Sequence, residues 1–276
     1  FTDMAQIERL AAALFVEQQR RVEDPTLREI YGTFVIDEMR HSHVGQMLAD
    51  HYDRRRLEVY RPSRSLERFF PHFIDAIRYL PDDVANAYIT SGELMLDIAL
   101  LRSIDDFVDD GLSKQAMALI NRDESRHIAI DYYMIGHYAS DEYRRRRARV
   151  PRKSLGEMAL AGVLFHAQPF FRDVFFTPMA KTDPSGKRMR AAFKRMQLLG
   201  SKEGLAQLPI TRFWQTLQDL SNHPLTGRRA KEVLAYLAGA EPQVLQRLTS
   251  DDELARAARM SFDELASDAL AAKLES

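Results

Sequence analysis

Apolar residues recur at helical spacing along almost the whole chain, and strand-type alternation is nearly absent. Leu10, Leu14 and Phe15 mark one face of a first helix, from about Thr2 to Arg21. Asp24-Pro25 then reads as a start signal, an N-cap followed by proline at the first helical position. The second helix runs to about Asp53. Arg61 to Leu80, punctuated by Pro62 and Pro71 and closed by Pro81, reads as a connection with a short helix inside it. Asp82 or Asp83 is expected to cap a third long helix that Gly111 ends. Ser113 is expected to cap a fourth, running to about Tyr138. Further helices are expected near 154–178, 186–203, 206–220, 225–238 and 251–273.

Helices 1 and 2, and helices 3 and 4, are each joined by a short turn, and a connection of roughly 28 residues separates the pairs. Up-down pairs joined by one long crossover make a four-helix bundle. The expected fold class is therefore all-α. No Gly- or Ser-rich linker divides the chain, so 1–276 reads as a single helical domain. Residues 1–140 would form the core and 141–276 extra helices packed against it.

Composition removes several kinds of chemistry. There are no cysteines, which excludes disulfides, thiol nucleophiles and cysteine-held zinc or iron–sulfur clusters. The formal net charge of -1 does not suggest a nucleic-acid partner. No apolar run approaches the roughly 18 residues of a membrane span; Ala159 to Phe165 is the best. No signal-peptide pattern follows Phe1, and the missing methionine suggests that residues precede it. A soluble, cytoplasmic protein is expected.

Chemistry enters with two near-identical segments. Asp37-Glu38-Met39-Arg40-His41 and Asp123-Glu124-Ser125-Arg126-His127 each place Glu and His at i and i+3 on a helix, so both side chains leave from one face. One Glu-x-x-His is weak evidence; two copies of Asp-Glu-x-Arg-His in mid-helix are hard to obtain by chance. Geometry adds a test, because residues equidistant from a turn lie side by side in an antiparallel pair. The midpoint of Glu8 and Glu38 falls beside Asp24-Pro25, and that of Glu93 and Glu124 beside Asp109-Asp110-Gly111. Both pairs then sit roughly 22 Å from their turns. Glu17 is too near its turn to meet Glu38.

Four carboxylates and two imidazoles at one depth would be very costly in an apolar core without cations. Two divalent metals supply four positive charges. One Glu from each of two helices, with Glu-x-x-His from each of the others, is the pattern of di-iron and di-manganese carboxylate sites. Oxygen and imidazole donors suit iron or manganese. The metal ligands expected are Glu8, Glu38, His41, Glu93, Glu124 and His127. Asp37 and Asp123 are expected to accept the free ring N–H of the opposite ligand histidine.

Over about residues 1–140 this pattern resembles the ferritin-like non-haem diiron oxygenases and oxidases. These include the bacterial multicomponent monooxygenase hydroxylases, the acyl-carrier-protein desaturases, the arylamine N-oxygenases and the small subunit of ribonucleotide reductase. The resemblance implies a ferritin-like bundle. It implies one metal on Glu8, Glu38 and His41, another on Glu93, Glu124 and His127, and Glu38 and Glu124 bridging. It also implies activation of O2 and oxidation of a small or carrier-bound organic substrate, by hydroxylation, N-oxygenation or a related C–H or N–H oxidation. Two iron ions, or an Mn/Fe pair, would be the cofactors. An electron-donor protein and a homodimer are further expectations. The chain departs from individual members. Gly45 stands where the radical-forming reductase carries tyrosine, and Ile120 where the arylamine N-oxygenases carry an extra histidine. Asp97 stands near the threonine position of many oxygenases, where it could deliver protons or accept a hydrogen bond from a ligand. The competing reading is a non-oxygenase metal protein, such as an iron store or a ligand-binding oxidase.

Other residues carry blander expectations. Arg40 and Arg126 should form ion pairs. His43, His51, His72, His137 and His223 should lie at the surface or core edge. His166 reads as a core histidine, with a pocket role as the alternative. Phe170, Phe171, Phe175, Phe176 and Met179 read as core or pocket wall. Arg144 to Arg147, with Arg149, Arg152 and Lys153, reads as a solvated face or a dock for an acidic partner.

Overall fold

The computed structural model describes residues 1–58, 60–149, 154–161, 172–206, 209–225, 227–237 and 241–275. Among them there are helices and no strand. The first five helices are α1 (Thr2–Arg21), α2 (Pro25–Tyr52), α3 (Arg64–Tyr79), α4 (Asp82–Phe107) and α5 (Gly111–Ala139). Then come α6 (Asp141–Arg147), α7 (Leu155–Ala161), a π turn (Arg172–Phe176) running into α8 (Thr177–Thr182), α9 (Lys187–Gly200), α10 (Pro209–Asn222) and α11 (Gly227–Leu237). A 3-10 turn (Pro242–Leu245), α12 (Asp251–Arg259) and α13 (Phe262–Glu275) complete the order.

Helix α1 packs along α2, and α4 along α5; α1 also meets α4, and α2 meets α5. Four long helices thus surround one interior. Asp24 caps α2 as its sequence promises, accepting from the Thr26 and Leu27 amides. Within the interior the Gln18 amide donates to Asn86 Oδ1 at 3.0 Å, tying α1 to α4. At Gly45 an added Cβ would lie 3.2 Å from the Ala5 side chain and 3.3 Å from its backbone, so glycine allows α1 and α2 to approach closely. Later helices cover the outside: α9 lies on α4 and α13 on α5.

Several boundaries differ from the sequence reading. The connection before α4 is mostly helix, since α3 spans 16 residues capped by Ser63. Pro71 sits inside it because Pro71 and Glu67 are both exposed, so water can serve the Glu67 carbonyl that Pro71 leaves unpaired. Pro81, not Asp82 or Asp83, occupies the N-cap of α4, and the two aspartates fill its first turn. Helix α4 ends at Phe107 rather than Gly111, because Asp110 caps α5 by accepting from the Ser113 amide. Ser113 is therefore inside α5. The expected 251–273 helix is two helices. Ser261 starts the second with a reciprocal cap, its amide donating to Glu264 Oε2 at 2.6 Å while its hydroxyl accepts from the Glu264 amide at 3.1 Å. Of the expected 154–178 helix, the described parts are α7, the π turn and the start of α8. His166, Phe170 and Phe171 lie outside the described residues.

The most unexpected element is inside α4. Leu94–Leu101 is π-helical, and all eight of its residues are buried. Helix α4 as a whole has the length and composition of a membrane span, yet 83% of its most apolar stretch is buried inside the fold. In the sequence, Asp97 and flanking polar residues interrupt the apolar continuity of this run.

Candidate metal centre

Glu8 comes from α1, Glu38 and His41 from α2, Glu93 from α4, and Glu124 and His127 from α5. All six are buried, none more than 3% exposed. Two overlapping groups form. Ligand atoms of Glu8, Glu38, His41 and Glu124 lie within 4.8 Å of one another, as do those of Glu38, Glu93, Glu124 and His127. Glu38 and Glu124 belong to both groups. The turn arithmetic of the sequence thus names residues that the structure brings together.

Both histidines present Nδ1 to the carboxylates. His127 Nδ1 lies 2.9 Å from Glu38 Oε1 and 2.9 Å from Glu124 Oε2. His41 Nδ1 lies 2.9 Å from Glu124 Oε1 and 3.8 Å from Glu38 Oε2. The Nε2 atoms face outward in a crossed arrangement. His41 Nε2 is 3.7 Å from Asp123 Oδ2, and His127 Nε2 is 3.7 Å from Asp37 Oδ2, both beyond hydrogen-bond length. Arg126 Nη2 closes the outer side, 3.0 Å from Asp37 and 3.2 Å from Asp123, and Arg40 lies 3.8 Å from Asp37. Phe34 and Phe15 pack on the His127 ring, with centroids 4.1 and 5.2 Å away, and restrict its orientation.

Burial and mutual repulsion set the ionisation of this interior. Burial first, then the charges of Glu38 and Glu124, push the Glu8 and Glu93 carboxyls well above the usual range. Burial alone would discharge His41, but its contacts with Glu124 and Glu38 outweigh burial and raise it to about 10. His127 is raised in the same way, chiefly by Glu124 against the opposing effect of burial. Burial also works against charge on Glu124, yet the two histidines hold it below the usual carboxylate range. His127 beside Asp37 lowers that carboxyl.

The donor set could hold a metal ion. Both oxygens of Glu8 and Glu38 and both nitrogens of His41 are buried without a well-aligned hydrogen bond, although Glu38 and His41 keep close ionic contacts within the cluster. Orphaned buried polar atoms on this scale are rare in proteins, and bound cations would satisfy them.

Two buried carboxylates adjoin the cluster. Asp97 lies in the π segment, one turn beyond Glu93, and Lys273 from α13 reaches it at 2.6 Å. Lys273 also donates to the Asn121 carbonyl at 2.5 Å. Burial raises Asp97 to about 7, with Lys273 working against that rise. Sequence reasoning missed Asp131, one turn beyond His127 on α5 and 1% exposed. Neither of its oxygens has a hydrogen-bond partner, although the Thr90 hydroxyl lies beside it. Burial raises Asp131 to about 8. Its signal was available, since 124, 127, 131 and 135 continue one face of α5.

The remaining expectations fall outside the cluster. Glu17 pairs with Arg78 at 3.0 Å. His43, His51, His72, His137 and His223 are exposed. Phe175, Phe176 and Met179 are buried in the main apolar core. In the basic run, Arg144 pairs with Asp141, Arg146 with Glu23, and Arg147 with Asp83. These arginines are engaged within the chain; Arg152 and Lys153 lie outside the described residues. No family model matches the sequence, and neither a curated protein nor a solved structure matches it.

Proposed function

We propose that the chain is a ferritin-like diiron oxygenase or oxidase acting on a small organic substrate. The observation that carries this reading is the pair of overlapping, fully buried ligand groups sharing Glu38 and Glu124. A structural or surface role would not require four carboxylates and two imidazoles to converge in an apolar interior with most of their atoms unbonded. Two carboxylates shared between two four-residue groups fit two ions side by side. Oxygen and imidazole donors with no thiolate suit iron, with an Mn/Fe pair as the alternative.

When bound, two ferrous ions would supply the electrons and open positions for O2 reduction. The chain supplies the rest. Glu8, Glu38, His41, Glu93, Glu124 and His127 would hold the ions, Glu38 and Glu124 belonging to both groups, and each histidine is backed by an aspartate from the opposing helix. Glu93 is poised to move, because the π segment begins immediately after it and leaves the regular α ladder there. Asp97, on the next turn, holds a proton near neutral pH and could deliver it toward the centre.

The test is anaerobic loading with ferrous iron, elemental analysis, then oxygen consumption on mixing with air. Two irons per chain and rapid O2 uptake that Glu124→Ala abolishes are expected. Iron held without reacting with O2 would favour the storage or scaffold reading, and no iron uptake would sink the proposal.

A further inference from the structure

A cavity of about 770 Å³ lies between the long helices and the C-terminal ones. Its floor is Ala87 and Ser91 of α4 with Ile135 of α5, and Phe193 and Trp214 form a wall. Protein interiors leave few voids larger than a water molecule, so this space is far too large for a packing defect. It falls within the roughly 300–1,000 Å³ of small-molecule sites.

On α4, at about 100° per residue, Ser91 and Glu93 leave on nearly opposite sides, and on α5 Ile135 shares the face of Glu124 but stands about three turns further along the helix. Part of the lining is apolar: Ile135, Phe193 and Leu205 are buried, and the Trp214 ring meets Phe193 edge-on with centroids 5.7 Å apart. Polar groups line the rest, among them the buried Thr249 and the exposed Asp219 and Arg247. Arg247 is taken by Asp251, whereas Asp219 has no ion-pair partner among the described residues. The unbalanced charge of the lining is therefore negative.

We infer that this cavity is a binding site for an amphipathic organic amine, its apolar body against Phe193 and Trp214 and its ammonium at Asp219. Occupying the space would remove apolar surface from water on the floor and wall, and the exposed carboxylate would select the sign of the head group.

Trp214 is the only tryptophan in the chain and reports on its own cavity. The metal-free full chain is titrated with 4-phenylbutylamine and, separately, with 4-phenylbutanoate, following tryptophan emission. Saturable changes are expected with both, the amine binding roughly threefold more tightly, the size of an exposed ion pair. Asp219→Asn should erase that preference. Ala206→Phe, at a half-buried position of the lining, should block both ligands while circular dichroism stays unchanged. No saturable change in the parent chain, or unaltered binding in Ala206→Phe, overturns the site. Equal affinity for the two probes overturns the amine assignment. Because no metal is present, failure here leaves the diiron reading untouched, and failure of iron loading leaves this result standing.

Discussion

Lys273 Nζ lies 2.6 Å from Asp97 Oδ1, and both side chains are almost wholly buried although 176 residues separate them in sequence. The C-terminal helix thus delivers a cation to the turn after Glu93. Removing one partner of a buried pair leaves an uncompensated charge. Lys273→Met should destabilise the protein by about 3 kcal/mol at pH 8, measured by urea unfolding. The loss should shrink at pH 5, where Asp97 takes a proton, and Asp97→Asn should largely relieve it. A loss independent of pH would show that Lys273 matters only through packing.

Asp131 makes a prediction about stability and pH in the metal-free chain. Its folded value of about 8 lies above the usual 3.8. Between these values the folded chain holds a proton that the unfolded chain has lost, so stability falls as pH rises through this window. Asp131→Asn removes that slope. The variant should gain stability relative to the parent as pH goes from 5 to 8, by on the order of a few kcal/mol. Parallel unfolding curves for the two proteins at pH 5, 6.5 and 8 check it; a constant difference would contradict a buried, protonated Asp131.

Metal uptake should release protons. Glu8, Glu93, His41 and His127 are all raised, so the metal-free cluster binds protons more readily than free side chains do, and a bound cation displaces them. Adding Mn(II) to metal-free protein in weak buffer at pH 7 should acidify the solution, and apparent affinity should fall as pH drops. Uptake without acidification would mean that the ions bind elsewhere.

The two ligand groups predict unequal effects of single substitutions. Glu8 belongs to one group and Glu93 to the other, whereas Glu124 belongs to both. Glu8→Gln and Glu93→Gln should each retain about half the parent's metal, and Glu124→Gln less than either, by elemental analysis after dialysis. Equal losses for all three would argue against shared carboxylates.

The six clustered residues were legible because a four-helix interior obeys simple arithmetic: helical spacing puts Glu and His on one face, and distance from a turn sets depth. The caps at Asp24 and Asp110 show the limit of local reading. At Asp24, one N-cap is followed by proline; at 109–113, three side chains compete, and only tertiary structure selects Asp110. The π segment was not legible, since Leu-Met-Leu-Asp-Ile-Ala-Leu-Leu suits an α-helix equally well and the choice is made by packing. Lys273 was invisible for another reason. A lysine near the end of an amphipathic helix normally reads as solvent-facing, and nothing local marks the carboxylate it reaches. Asp131 is legible by the same spacing, since it continues the face of α5 one turn past His127.

The division of ligands between the helix pairs has a consequence for how the protein assembles. The α1–α2 pair carries Glu8, Glu38 and His41, and the α4–α5 pair carries Glu93, Glu124 and His127. Each pair closes through a short turn, so each can form early on local contacts alone. Each then holds three ligands of one group and lacks the fourth, which comes from the other pair. Docking the two pairs and completing the two groups are one event. On the reading that the cluster holds metal, an ion captured early by a single pair would meet its fourth ligand only when the pairs dock.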